Sequence, residues 1–252
     1  PQSIAGSWKL RQKIFSAHPH LTAVCPSRWL ASEAERGLWK DHRIEVIPNA
    51  LPLDTYKPLD RTTARSRLGI GSGAAVVLVA APNLSDPRKG GRLVCEALNL
   101  VQRRPLTLLS MGGGSLDPPA DVLHIPLGFV SSHETKVLAY NAADVFVHAA
   151  LADNLPHVVM ESIACGTPVV GFRVGGVPDM VKPSTTGWLV DGLTPLSLGT
   201  IIEQALLDVE SGTNLRGSCR AMAETEYSFE EQARRYLEVF QSMVHPSLQP
   251  AT

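Results

Sequence analysis

Two carboxylates, Asp153 and Glu161, flank the start of a helical pattern in DNLPHVVMESIACGTPVVGFRVGGVPDMV, residues 153–181. Pro156 lacks the N–H that a first helical residue would leave unpaired, and Asp153 or Asn154 is placed to cap the helix it opens. That helix is expected over 156–165, stopping at Gly166 with Pro168 beyond. On it Glu161 shares a face with Val158, Ala164 and Cys165. An ionised carboxylate on an apolar stripe is costly without hydrogen-bond donors, and no Lys or Arg lies within a helical turn of it. Neighbouring backbone or a ligand must then supply them. Glu161 sits roughly 7 to 8 Å along the axis from the helix start. Two acids at that separation can hold successive hydroxyl-bearing parts of one ligand, while the helix N-terminus between them offers N–H groups to an anion.

A second group of candidates follows the apolar run AAVVLVAA in the loop PNLSDPRKGGRL. Arg88 and Lys89 bring cationic donors there, and Gly90-Gly91 allow close backbone approach before the next helix, a combination suited to a diphosphate. Read without the acids, the two cations are more readily a solvated loop. Gly175 and Gly176 follow PVVGF at another strand end, as backbone donors or as an ordinary tight turn. MGGGS, 111–115, invites a phosphate-loop reading and fails it: no helix follows, and neither dinucleotide nor Gly-Lys-Ser/Thr spacing is present. His148 and His157 flank the acids, yet no histidine pairs at helical spacing with another His or Cys as metal ligands do. His157 reads as an exposed first-turn residue and His148 as a strand-end residue. No nucleophile elbow occurs.

The elements that must position these residues alternate. Apolar runs at 21–25, 43–47, 74–81, 106–111, 122–126, 144–149, 168–172 and 187–190 read as strands. Amphipathic stretches at 27–38, 90–102, 131–142 and 156–165 read as the helices between them. Three helical patterns close the chain at 195–208, 212–225 and 228–245. The alternation predicts an α/β fold with a doubly wound, Rossmann-like parallel sheet. Pro-bounded turns in IPNALPLDTYKPLDRTT mark a boundary near 53–58. Residues 1–52 are too few to bury a core of their own and read as the tail of a preceding domain; the chain opens at Pro1 inside a helical pattern, so a longer protein is expected.

With 252 residues, 44% hydrophobic and a formal charge of −1, the chain has material for a sizeable core and no overall field for nucleic acid or membrane. No apolar run approaches the about 18 residues a membrane span requires, and no signal peptide is visible. The four cysteines, at 25, 95, 165 and 219, lack metal-ligand spacing and lie in or beside apolar runs, as reduced core thiols do. A reducing cytosol fits them best.

The acid motif resembles the donor-binding signature of retaining GT-B glycosyltransferases of family 4: an acid, seven residues, a Glu, then A-C-G-T-P-V-V and V-G-G-V-P. The likeness runs from about Leu21 to the last helix, with SRWL and VIPNALPLDTYKP similar to the end of the N-terminal domain and the linker, and YSFEEQARRYLEVF similar to the closing helix. It implies the C-terminal half of a GT-B fold: 1–52 the tail of the acceptor-side domain, 53–58 the linker, 59–228 the donor-binding domain, 229–252 the closing helix and tail. It implies that Glu161 binds the nucleotide ribose and Asp153 the donor sugar, with Asn154, Leu155 and Pro156 beside them. Lys89-Gly90 match the family's Lys-Gly, and Arg88 and Lys89 would offset charge on the leaving diphosphate. PLGFV, 126–130, stands where the family binds the base, making Gly128 and Phe129 base neighbours. Three departures are plain: the first acid is Asp where Glu is usual, Ala149-Ala150 replace a common Pro-Ser, and Leu84 stands where an Arg is often found.

The resemblance thus implies transfer, with retention, from a UDP- or GDP-type nucleotide sugar to a sugar or lipid-linked acceptor, without a metal or other cofactor and without nucleic acid. The family setting is polysaccharide or glycoconjugate assembly in the cytoplasm, with the inner face of a membrane as a site of peripheral attachment for the full-length protein. This piece alone is expected to bind donor and not to transfer. A GT-B nucleotide-sugar epimerase and a noncatalytic nucleotide- or glycan-binding module are the alternatives.

Overall fold

The computed structural model describes residues 4–71 and 73–244. Two parallel sheets form. The first pairs β1 (Thr22–Cys25) with β2 (Arg43–Val46) and carries α2 (Arg28–Glu35); α1 (Ile4–Ala17) precedes it, with Phe15 against Trp39 and His42. After α3 (Arg61–Arg67) comes the second sheet, of β3 (Ala75–Asn83), β4 (Leu106–Gly113), β5 (Val122–Pro126), β6 (Val145–His148), β7 (Val169–Phe172) and β8 (Gly187–Val190). Between and after its strands run α4 (Gly91–Leu98), α5 (His133–Ala142), α6 (His157–Ala164), α7 (Val177–Met180), α8 (Pro195–Glu210), α9 (Arg216–Glu226) and α10 (Phe229–Val244). Position 245 of the expected last helix, and positions 246–252 of the expected tail, lie outside the described residues.

The strand order of the large sheet is β5-β4-β3-β6-β7-β8, every pair parallel. The chain winds outward from β3 in one direction, then returns to lay β6 on its other side. This is a doubly wound sheet with its topological switch between β3 and β6, the place where open α/β sheets bind ligands beyond the strands' carboxyl ends.

Alternation along β3 shows why both faces are covered. Val76 and Leu78 enter one apolar core with residues of α3, α5, α6 and α9, whereas Val77 and Val79 enter a second with residues of α4 and α8. A strand buried on both faces reads as a continuous apolar run, which is what AVVLVAA is. At the opposite ends of the strands, the buried Asp144 receives Arg61 and Arg65, each at 2.8 Å, and the Val76 N–H at 2.8 Å. A buried carboxylate with those three donors is a clamp joining α3 to β3 and β6.

The expected strands are all present. The helices differ mainly at their ends: the one expected over 90–102 stops at Leu98 and the one over 27–38 at Glu35. α3 was not expected, because its one buried residue is Ala64 and it shows no apolar stripe; Asp60 caps it by accepting from Thr63 N.

Candidate functional site

Two neighbouring cavities open beyond the carboxyl ends of β3, β4 and β6, at the switch point. One, of 280 Å³, is lined by Val79–Pro82 of β3, Val147–Ala149 around the end of β6, Lys89, Asp153 and the start of α6. The other, of 260 Å³, is lined by Met111 and Gly112 of β4, Phe129, Lys136, Tyr140 and Glu161. They share Ala80, Ala81, Pro82, His157 and Val158. The first turn of α6 therefore forms the ridge between them, with Asp153 on one side and Glu161 on the other.

Glu161 is buried, and the donor its burial requires is the Tyr140 hydroxyl, 2.8 Å from Oε2. Burial together with the adjacent carboxylate pushes the Tyr140 hydroxyl well above its ordinary range, so it stays protonated and donates. Tyr56 is pushed up as well, by burial and then by Glu161. The donor comes from α5 and not from the backbone of α6, so Glu161 keeps its place facing the second cavity.

The expected capping of α6 by Asp153 or Asn154 is not what forms. Pro156 occupies the cap position with no side-chain hydrogen bond, and the helix begins at His157. Asp153 accepts from Asn154 N at 3.0 Å and from the Lys89 ammonium at 3.1 Å. Asn154 accepts from the Ser27 hydroxyl, which itself caps α2, so its side chain ties the small sheet to the acid loop. Leu155 and Pro156 are buried in the wall of the first cavity.

Lys89 reaches Asp153 because the two loops are stitched together. A 3₁₀ turn, Pro87–Lys89, is capped by Asp86, and the Leu151 N–H donates to the Arg88 carbonyl at 2.9 Å. Gly90 follows with φ 74°, where a Cβ would meet the Ala149 carbonyl oxygen at 1.9 Å, so a side chain there would part the loops. Gly175 and Gly176 act in the same way from the other side: a Cβ would stand 1.8 Å from the Asp153 carbonyl oxygen and 1.9 Å from that of Asn154. The Gly176 N–H is given to the Asp153 carbonyl at 3.2 Å, so it seats the acid loop.

Arg88 is not brought into either cavity. Its side chain is 84% exposed and engaged by Asp86 at 2.7 Å. Phe129 lines the second cavity and is itself 77% exposed, presenting a free aromatic face; Gly128 supplies the positive-φ turn, φ 66°, that leads into it. His157 is exposed, as expected, and hydrogen-bonds the Asn49 amide at 3.2 Å. The strand expected to end at Met111 continues to Gly113, so the first two glycines of MGGGS belong to β4 and not to a phosphate loop.

Three lining residues carry no sequence signal for such a role. Tyr140 and Lys136 lie on α5, far from the acid motif along the chain, and no local pattern marks them. His148, by sequence only a strand-end residue, is 4% exposed, lines the first cavity, and has its Nε2 3.6 Å from Asp153 Oδ2. Burial pushes its imidazole well below the ordinary range, to about 4. Among the described residues no group of three or more His, Cys, Asp or Glu is placed to hold a metal ion.

The chain is 32% identical over 216 residues to a D-inositol 3-phosphate glycosyltransferase of Xylanimonas cellulosilytica, covering 79% of this chain and 51% of that protein. It is 29% identical to D-inositol 3-phosphate glycosyltransferase 1 of Catenulispora acidiphila, covering 80% and 52%. The chain thus spans about half the length of the curated relatives it matches. Its fold matches sucrose-phosphate synthase from Thermosynechococcus elongatus, with a TM-score of 0.74 at 23% identity, over 95% of this chain and 63% of that one. It also matches Anabaena Alr3699/HepE in complex with UDP, with a TM-score of 0.75 at 19% identity, over 94% and 68%. Residues 75–208, the sheet that builds both cavities, match the family model described as glycosyl transferases group 1, and the chain belongs to that family.

Proposed function

We propose that this chain holds the donor, a nucleoside-diphosphate sugar, for a retaining glycosyltransferase. The observation that carries the reading is the placement of Asp153 and Glu161 in adjoining cavities on either side of the α6 N-terminus, at the switch point of the sheet. A nucleotide sugar has the matching order of parts. The ribose hydroxyls donate to Glu161, the base lies toward Phe129, the diphosphate meets Lys89 and the first turn of α6, and the sugar reaches Asp153. In the reaction the bond from the anomeric carbon to the diphosphate breaks, and its electron pair leaves on a phosphate oxygen that the Lys89 ammonium stabilises. The acceptor oxygen then bonds to the anomeric carbon on the face the diphosphate vacates, its proton passing to the departing diphosphate oxygen, which is retention.

Two related solved structures are described as complexes with UDP, and with UDP and glucose, which supports a nucleotide-sugar donor here. The acceptor, a sugar or a lipid-linked sugar, would be held by an acceptor-side domain of which 1–52 form the end, joined through 53–58 to the donor domain at 59–228 and closed by the 229–252 segment. Apolar side chains exposed on α1 (Ile4, Trp8, Ile14) and α10 (Phe229, Phe240, Val244) support such a covering. Assembly of a polysaccharide or glycoconjugate in the cytoplasm is the setting we assign. Titration calorimetry with UDP, GDP and uridine tests the donor assignment. Diphosphate-dependent binding that Glu161→Gln weakens is expected; failure of both diphosphates to bind would overturn it.

A further inference from the structure

His148 is the buried side chain of the site whose role the reading above leaves open. It closes β6, faces the first cavity, and its Nε2 makes no hydrogen bond among the described residues. A buried nitrogen without a partner is costly and rare, so a partner supplied in another state of the site is the physical expectation. The groups that face it are Asp153, 3.6 Å away, and Lys89, whose ammonium is on the same carboxylate oxygen, Oδ2, at 3.1 Å. The Phe146 ring lies beside the imidazole, with centroids 6.4 Å apart. Asp153 as a carboxylate only accepts, so the tautomer that suits this geometry carries its proton on Nε2.

Lys89 has two claims on it. As the cation for a diphosphate it must turn at least one N–H, and much of its field, toward phosphate oxygens. Asp153 then keeps its charge close to an anionic group while losing part of its counter-charge. We propose that His148 is a positioning residue for the donor sugar: as Lys89 engages the diphosphate, the Nε2–H donates to Asp153 Oδ2 and fixes that carboxylate against the sugar hydroxyls. The movement required is small, the difference between 3.6 Å and a hydrogen bond of about 2.9 Å. A neutral donor suits the place, because it satisfies the carboxylate without adding a second cation to compete for the phosphate. Burial keeps the ring in that neutral form.

The inference rests on the nucleotide-sugar reading, and the experiment separates the two. Titration calorimetry on the native chain with UDP, GDP, UDP-glucose and GDP-mannose comes first. If none of the four binds, the donor reading falls, and the role of His148 with it. For the sugar nucleotide that binds, His148→Leu is expected to lose about tenfold in affinity, and the loss for the matching diphosphate is the smaller. His148→Gln, whose amide N–H reaches near the position of Nε2, recovers most of that loss, whereas His148→Asn, whose amide stops nearer Nδ1, does not. In a double-mutant cycle, His148→Leu adds nothing to Asp153→Asn, because the two act through one contact. Equal losses for sugar nucleotide and diphosphate, additive losses in the cycle, or failure of Gln to rescue would each overturn the positioning role while leaving the donor site standing. Circular dichroism and thermal melts of all three variants show whether the fold is kept; if His148→Leu unfolds, the Gln and Asn pair carries the same comparison.

Discussion

The Tyr140 hydroxyl donates to Glu161 at 2.8 Å, across the packing of α5 on α6, and by doing so lets an acid sit in an otherwise apolar wall. Removing one partner of a buried hydrogen bond to a carboxylate leaves the other unsatisfied. Glu161→Gln is expected to weaken UDP or GDP binding by about 1 to 3 kcal/mol, from the loss of a charged acceptor for ribose hydroxyls. Tyr140→Phe is expected to lower stability by a similar amount, with a smaller effect on affinity. Calorimetric titration and urea melts of both variants read the two quantities separately; an unchanged dissociation constant for Glu161→Gln removes the ribose assignment.

Lys89→Ala should cost the diphosphate far more than the nucleoside, since the proposed donor site sets the ammonium against phosphate oxygens and not against the base. A loss of about 1.5 to 3 kcal/mol for UDP or GDP, with uridine or guanosine little changed, is the expected pattern. Arg88→Ala should have the smaller effect of the two, because Arg88 is exposed and its guanidinium is held by Asp86. Equal losses for nucleotide and nucleoside would make Lys89 a structural residue, tied to Asp153 for the sake of the loops alone.

The ease with which each of these parts is read from sequence follows from the range of the interactions. β3 is legible because both its faces are buried, so its whole run is apolar. The end of α6 is legible because Gly166, with φ 78°, and Pro168 are local stop signals. Asp153 and Glu161 stand out because an acid before or within an apolar helix has a cost that must be met somewhere. Their pairings, with Tyr140 and with Lys89, do not stand out. Tyr140 lies one helix and one strand earlier, and Lys89 belongs to a loop on the far side of β6; only the crossover at the switch point brings them together. The capping role expected of Asp153 failed for a related reason. Its carboxylate had a cation within reach in three dimensions, which displaced the local bond that spacing alone suggested. α3 leaves no periodic signal because it is held by Asp60, Arg65 and Asp144 instead of by an apolar stripe.

His148 should make stability depend on pH over a definite window. Its folded proton affinity lies below that of the unfolded chain, about 4 against the ordinary 6.5, chiefly through burial, with Lys89 acting the same way and Asp153 opposing. Above pH 6.5 the ring is neutral in both states and contributes nothing. As pH falls below 6.5 the unfolded chain takes up a proton that the folded one refuses, and stability is lost until about pH 4. Each tenfold difference in proton affinity is worth about 1.4 kcal/mol, so the loss reaches about 3 kcal/mol at the lower end. His124 is also pushed down by burial and adds a smaller loss of the same sign. Asp60, Asp86, Asp121 and Asp191 are held low by their partners and lose theirs only as pH falls into the carboxylate range. Thermal melts between pH 7 and 5 therefore isolate the histidines. His148→Gln should flatten that slope and His124→Gln should flatten it less; an unchanged slope in His148→Gln would mean that the ring is protonated in the folded protein.

Gly175 tests whether the acid loop is held from behind. Its φ is 50°, and a Cβ would stand 1.8 Å from the carbonyl oxygen and 3.0 Å from the carbonyl carbon of Asp153. Both atoms are backbone, so no side chain can swing aside to make room. Gly175→Ala must then move the Asp153 peptide, change its own φ, or both, and strain of this kind typically costs about 1 to 3 kcal/mol. The displaced peptide carries the Asp153 side chain away from Lys89 and breaks the bond from the Gly176 N–H. A sugar nucleotide should therefore lose more affinity than the matching diphosphate, while Glu161, held independently by Tyr140, still binds ribose. Gly71→Ala is the control, since a Cβ there meets nothing within 4 Å and φ is not in the left-handed range. If Gly175→Ala melts and binds like Gly71→Ala, the loop is not positioned by this contact, and the seat of Asp153 must be sought in Lys89 and the Leu151 to Arg88 hydrogen bond alone.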